Sequence, residues 1–285
     1  ILENPEDPNW RLVYADWLEE AGDPRSDAIR RWCQRKHLLG PEPHYDEIRS
    51  AGWDDKRFER PFDRRARQLD VKGASHIYVD DHGGPVSLRC GWSVFVDQAE
   101  KLLAAEPAIV CFRPDNWMDD AGTQALTASG WLEPMLVLDG FRFKSSGIAI
   151  ILNSETACHS FREIILASRH FSDETLQRLQ HAEYFEALRT FRATQLTQAD
   201  RIATAIASNG NLGELHTLIL QSEDLGLKGF QAFEKSRILH SVRRLELQLT
   251  DDGSYSTRAI QHLVGALNSS SLTALSLAGG KIKDA

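Results

Sequence analysis

Nowhere among the 285 residues does an apolar run approach the roughly 20 residues that a membrane-crossing helix requires. No pattern of charged, apolar and small residues marks a signal peptide at the start. Ile1 stands first without a Met, which leaves a removed targeting segment open, and a cytoplasmic location is the default expectation. The four cysteines, Cys33, Cys90, Cys111 and Cys158, are far apart and form no CxxC pair, so the spacing excludes a zinc knuckle and a dense disulfide framework. Reduced thiols are expected. A surplus of positive charge is also missing: the formal net charge is −8, which argues against general nucleic-acid affinity. There is no GxxxxGK[ST] phosphate loop, GxSxG elbow or HExxH zinc helix. No catalytic residue, cofactor or metal is therefore expected.

What is present suffices for a substantial core, since 42% of the residues are hydrophobic. The opening NPEDPNWRLVYADWLEEAGDP predicts one compact helix, with Asp7 as N-cap, Pro8 at the first helical position and Gly22 as terminator. Trp10, Val13, Tyr14, Trp17, Leu18 and Ala21 recur at steps of three and four as an apolar stripe, with Arg11, Asp16, Glu19 and Glu20 opposite. Asp23 and Pro24 repeat the start signal, and Ala28, Ile29, Trp32 and Cys33 give a second helix its own stripe. A helical hairpin is expected over residues 1–40, with Trp10, Trp17 and Trp32 in its core.

The run RLVYADWLEEAGDPR, Arg11 to Arg25, resembles the repeat-companion domain, a short module characteristic of planctomycete proteins. Tyr14, Asp16, Trp17, Leu18, Gly22, Asp23 and Pro24 all fall at that family's spacing, whereas Trp10 replaces its usual small residue or proline. The resemblance covers about the first 35 residues and implies company, because such modules precede leucine-rich repeats. It implies no catalytic activity.

Residues 41–74 read as a charged helical connector. KRFERPFDRRAR, Lys56 to Arg67, fits either a basic amphipathic helix broken by Pro61 or a solvated helix compensated by Glu59 and Asp63. In residues 75–106, Ile77 to Val79, the turn from Asp80 to Pro85 and Val86 to Val96 read as strand, turn and strand. The hairpin and a following helix are expected to cap a solenoid. Asp80, Asp81 and His82 offer metal-type ligands, but a polar turn is the simpler reading.

From residue 107 to the end the dominant signal is a long period. An apolar residue followed by others at +3, +6 and +8 occurs at Leu212, Leu215, Leu218 and Leu220, and at Leu239, Val242, Leu245 and Leu247. Phe185, Leu188, Phe191 and Ala193 repeat the frame, as do Cys158, Phe161, Ile164 and Leu166. Leu132, Met135 and Leu138 fit with Gly140 in the last place, and Leu272, Leu275 and Leu277 with Ser269 in the first. The third positions, 138, 164, 191, 218, 245 and 275, are 26, 27, 27, 27 and 30 residues apart. Six residues before each first position stand Leu126, Leu152, Leu179, Ile206, Phe233 and Leu263, in segments with helical patterning. Gly122 and Gly229 lie four residues before this helix marker, where loop turns into helix.

Each repeat therefore predicts a short strand, a loop and a helix. The pattern resembles leucine-rich repeats, most closely in DNWMDDAGTQALTASGWLEP, Asp115 to Pro134, although the asparagine expected after each strand is mostly absent. The fold class expected is α/β, a solenoid with parallel short strands on a concave face and helices outside, preceded by the small helical module. GGKIKDA ends the sequence in mid-repeat, which predicts a further repeat or cap in the intact protein.

Function follows from surface alone. Asp119 and Asp120 are read as the favourable acidic start of a repeat helix, and His159, His170 and His181 as surface residues. The position after the second apolar residue of each frame carries Arg162, Arg189, His216 and Arg243, with Arg192 and Arg244 close by. Lined up at the roughly 4.8 Å spacing of strands, like charges repel unless acids or a ligand compensate. Glu163, Glu186 and Glu246 could neutralise the row within the protein. Alternatively, the row binds another protein through an acidic segment, bearing carboxylates or phosphate, on the repeat strand face, at its concave surface or at its rim. A non-enzymatic binding scaffold is thus the first expectation. The other is a regulatory part of a larger enzyme, with its chemistry in residues 45–96 or outside this sequence.

Overall fold

The computed structural model describes residues 8–20, 22, 26, 30, 74–79, 86–105, 109–154, 159–167, 171–222, 225–249, 254–267, 270–278 and 281–283. The chain divides into two compact units, Ile1–Asp115 and Asn116–Ala285. Asp7, Trp32, Cys33, the tract 41–73, the turn 80–85, Cys158 and His170 lie outside the described residues.

In the first unit, α1 spans Pro8–Glu20, starting on the proline whose missing N–H costs a helix nothing. Gly22 ends it at φ 66°, donating its N–H to the Glu19 carbonyl at 2.8 Å, as an unbranched left-handed terminator does. The apolar stripe is narrower than expected. Tyr14, Ala15 and Leu18 are buried, whereas Val13 is 56% and Trp17 39% exposed. Positions 13 and 17 share an angle one residue step, about 100°, away from 14 and 18, which places them at the stripe's margin. There Trp17 stacks on Tyr14 with ring centroids 5.8 Å apart, so it flanks a core and does not fill one. Arg30 donates to Asp16 at 2.6 Å and Glu19 at 2.5 Å, and its bond to Glu19, with its charge, holds the Glu19 carboxyl below the usual carboxylate range against the opposing Asp16 charge.

Strand β1, Ala74–Val79, pairs antiparallel with β2, Val86–Cys90, with Ile77 opposite Leu88 and Val79 opposite Val86. The second strand is shorter than its apolar run suggested. It stops at Cys90, and α2, Trp92–Ala105, begins after Gly91. Phe95, Ala99 and Leu102 recur at four and three, so the helical period overrides the strand reading there. After α2 the chain returns as β3, Ile109–Pro114, parallel to β2, the direction that a helical crossover allows. Phe95 of α2 stacks on Phe112 of β3 at 4.5 Å between centroids, and both are buried.

The second unit repeats one design. Helix α3 (Asp120–Ala128) leads to β4 (Val137–Asp139), α4 (Ser145–Leu152) to β5 (Glu163–Ala167), and α5 (Asp173–His181) to β6 (Thr190–Leu196). Then α6 (Ala199–Ser208) leads to β7 (Thr217–Ser222), α7 (Leu227–Lys235) to β8 (Arg244–Leu249), and α8 (Thr257–Leu267) to β10 (Ala274–Ala278). Within this unit β4, β5, β6, β7, β8 and β10 pair in that order, all parallel. Two further short strands, β9 (Ser254–Ser256) and β11 (Lys281–Lys283), pair parallel with each other; no period announced them.

The register is the one the 27-residue period requires. Leu138 pairs with Ile164, Ile164 with Phe191, Phe191 with Leu218, Leu218 with Leu245, and Leu245 with Leu275. Leu126, Leu152, Leu179, Ile206, Phe233 and Leu263, the helix series, are all buried as well. Helix markers and strand positions together form one core layer, each fully buried Leu or Phe contributing about 1.5–3 kcal/mol relative to exposure. Gly140 fits this layer because a Cβ there would lie 2.9 Å from Leu166 Cδ2 and 3.1 Å from the Ile165 carbonyl. The core does not run on unchanged to the last strand. Leu275 and Leu277 of β10 are 44% and 42% exposed, because β10 has β8 on one side only within this sheet.

Helix ends are joined across repeats. Asp200 in α6 accepts from the N–H groups of Gly226 at 2.7 Å and Gly229 at 2.9 Å, supplying the start of α7 with an acceptor. Buried Asn209 donates to the carbonyls of Leu179 at 2.7 Å and Ala182 at 3.2 Å, which end α5. Gly229 is not a left-handed turn residue, since among the described glycines only Gly22 and Gly130 have positive φ. Close approach is what selects it: a Cβ would sit 2.8 Å from both Asp200 Oδ1 and Leu225 Cδ1.

Candidate binding face of the parallel sheet

Alternation along a strand sends residues 164 and 166, 191 and 193, 218 and 220, and 245 and 247 into the core. Their neighbours therefore occupy the opposite face of the sheet. Two transverse rows result from the register. One runs Val137, Glu163, Thr190, Thr217, Arg244, Ala274, and the other Asp139, Ile165, Arg192, Ile219, Glu246, Ser276. Adjacent members lie about 4.8 Å apart, the spacing of paired strands.

The second row has an unusual centre. Arg192 is exposed and makes no hydrogen bond or ion pair among the described residues, while Ile165 and Ile219 on either side are half-buried. Arg244 differs: its Nε donates to Glu246 Oε1 at 2.6 Å, and its Nη2 pairs with the same oxygen. Glu246 thus neutralises Arg244 on its own strand, two residues away on the same face, and is drawn off from the Arg162 to Arg243 row.

Arg162, Arg189, His216 and Arg243 each stand one residue before β5, β6, β7 and β8, at the rim where the strands begin. Their backbones form a continuous spine. The Arg162 carbonyl accepts from Arg189 N at 2.8 Å and Thr190 N at 3.0 Å, and the Arg189 carbonyl from His216 N at 2.8 Å and Thr217 N at 2.9 Å. The His216 carbonyl accepts from Arg243 and Arg244, and the Arg243 carbonyl from Thr273 and Ala274. Each carbonyl thereby uses both lone pairs on the next repeat, which locks the side chains above into a ladder.

Within the ladder the four side chains are not equivalent. Arg243 is exposed, and Arg189 and His216 are half-buried. Arg162 reaches across to the next repeat, where Nη1 donates to the Ala187 carbonyl at 3.2 Å. Its Nε is buried without a hydrogen-bond partner. Burial first, and the neighbouring Arg189 charge second, push the Arg162 guanidinium below its ordinary pKa.

The period brings out the row 162, 189, 216 and 243 but not its place at the rim, and the two isoleucines went unnoticed in it. The signal was available one residue after each third frame position, where 165, 192, 219, 246 and 276 recur.

The other candidates have local explanations. Asp119 caps α3, accepting from Gly122 N at 2.8 Å, and Asp120 accepts from Ser146 Oγ at 2.6 Å. Exposed His159 packs edge-on against Tyr184 at 4.8 Å, and His181 is exposed at the end of α5. Cys90 and Cys111 are free thiols, both buried. Among the described residues no group of three His, Cys, Asp or Glu side chains is placed to hold a metal ion, and no helix is long and apolar enough to cross a membrane. Two shallow grooves lie in the helix layer. One of about 300 Å³ is lined by Asp173, Gln177, Asp200 and Arg201, and one of about 400 Å³ by Thr204, Lys228, Gln231 and Lys235. An Arg201–Asp173 ion pair spans the first. No protein-family model matches the chain, and no curated protein matches it.

Proposed function

We propose that this protein is a non-enzymatic binding scaffold, a repeat-companion module followed by leucine-rich repeats, that receives an acidic segment of another protein on the open face of its parallel sheet. The observation that supports this reading is the row Ile165, Arg192, Ile219, a cation unpaired among the described residues between two half-buried aliphatic side chains. Such a row joins the two elements of an interface anchor. The isoleucines supply area that gains by leaving water, and a guanidinium supplies directional donors for a carboxylate. On a chain of net charge −8 this attraction is local: the cationic centre pairs with a carboxylate at short range, where direct contact outweighs the long-range field of the whole chain. Arg162, Arg189, His216 and Arg243 extend this positive ground along the rim, while Arg244 is held by Glu246 and contributes shape more than charge.

Capture of the native partner by the intact protein, identified and quantified by mass spectrometry, tests the reading. Arg192→Glu and Ile219→Asp should each weaken capture at least about tenfold, the effect of losing about 1.4 kcal/mol of an anchor contact. Undiminished capture by both variants would remove the open face as the binding surface.

A further inference from the structure

We infer that Arg162 and Arg189 form a binding site for a doubly charged phosphomonoester, carried on a phosphorylated side chain of the protein segment that lies on the open face. This site rests on the scaffold reading above and names one group that the partner presents. Four features of the rim support it. The two residues are consecutive rungs of the ladder, joined by the 2.8 Å bond from Arg189 N to the Arg162 carbonyl. The Arg162 head group is carried toward Arg189 by its bond to Ala187, in the turn that precedes Arg189. Neither guanidinium forms an ion pair with a described carboxylate. Finally, Nη2 of Arg162 is neither hydrogen-bonded among the described residues nor among the buried unpartnered atoms, so a donor edge remains open while Nη1 and Nε are covered.

Charge matching selects the ligand. Two adjacent guanidiniums carry two charges that no described carboxylate pairs with; burial first and the Arg189 charge second make the Arg162 cation costly, so an anion between the two heads relieves both. One carboxylate supplies a single negative charge and would leave one cation unmatched. A phosphomonoester carries about −1.5 to −2 at neutral pH and three acceptor oxygens, enough to engage both heads at once. The pair Arg243 and Arg244 offers no equivalent, because Arg244 is already bound to Glu246.

The experiment is a titration of the full chain, observed through the Nε–H resonances of Arg162 and Arg189 in nitrogen-proton correlation spectra. The probes are a Gly-Ser peptide containing one phosphoserine, the same peptide with aspartate in its place, and inorganic phosphate. The expected result is saturable shifts of both resonances with the phosphopeptide, and at least about tenfold weaker binding of the aspartate peptide. Arg189→Gln should weaken phosphopeptide binding about tenfold or more, with Arg189→Lys recovering part of it; both leave the backbone spine in place. No saturation, equal affinity for the aspartate peptide, or an affinity untouched by Arg189→Gln would overturn the proposal. Saturation by inorganic phosphate with no response to the phosphopeptide would overturn it too, in favour of a free-anion site. The two readings fail separately. Loss of partner capture in Arg192→Glu without a phosphopeptide response sinks this site and spares the scaffold. A phosphopeptide response with capture indifferent to Arg192→Glu and Ile219→Asp does the reverse.

Discussion

Asp200 Oδ1 accepts the backbone N–H of Gly229 at 2.9 Å, so a side chain in one helix completes the first turn of the helix packed beside it, 29 residues along the chain. The same oxygen would lie 2.8 Å from any Cβ placed at Gly229, and Ala203 Cβ at 3.2 Å closes another side. An alanine at this position is favoured by helix propensity by up to about 1 kcal/mol. The contact geometry should outweigh that preference, because moving Asp200 also strands the Gly226 and Gly229 N–H groups. Gly229→Ala is expected to destabilise by about 1–2 kcal/mol in denaturant unfolding. A midpoint at or above that of the parent would show that the loop gives way freely.

Leu218 and Leu275 occupy equivalent frame positions on either side of Leu245 in the ladder, yet Leu218 is fully buried and Leu275 is 44% exposed. Leu218→Asp should cost several kcal/mol, a large part of the roughly 5–15 kcal/mol that holds a domain folded. Leu275→Asp should cost less than about 1 kcal/mol, since its carboxylate remains in water. Thermal unfolding of the two variants side by side gives the answer, and equal losses would mean that β10 is covered as completely as β7.

Cys90 is fully buried at the end of β2, and desolvation, with Asp115 nearby adding to it, pushes its thiol up to about 12. That lies above the ordinary thiol value of about 8.5, so the folded chain binds this proton more tightly than the unfolded chain. The resulting stability is fully present below about pH 8.5 and declines as pH rises toward 12, by at most about 1.4 kcal/mol per pH unit. The stability difference between parent and Cys90→Ala should therefore shrink by about 1 kcal/mol or more between pH 8 and pH 10. Iodoacetamide at pH 8 should leave the Cys90 peptide unmodified in native protein and label it after unfolding. A constant difference across that range, or prompt labelling of native protein, would contradict the burial of this thiol.

The repeat register was legible because burial repeats with the chain. Residues such as Leu138, Ile164, Phe191, Leu218 and Leu245 must each face the same layer, so their chemical type recurs at nearly constant intervals and sequence alone reveals the pairing. Pro8 and Gly22 bounded the first helix for a similarly local reason, as each fits one backbone conformation. The binding face was legible only in part. That Arg162, Arg189, His216 and Arg243 align follows from the period, but their place at the rim does not, because it depends on where each strand begins to pair. The lack of a partner for Arg192 among the described residues, the capture of Glu246 by Arg244 and the turn of Arg162 onto Ala187 are likewise tertiary decisions. Long flexible side chains have several rotamers of similar energy, and only the neighbours brought by adjacent repeats choose among them.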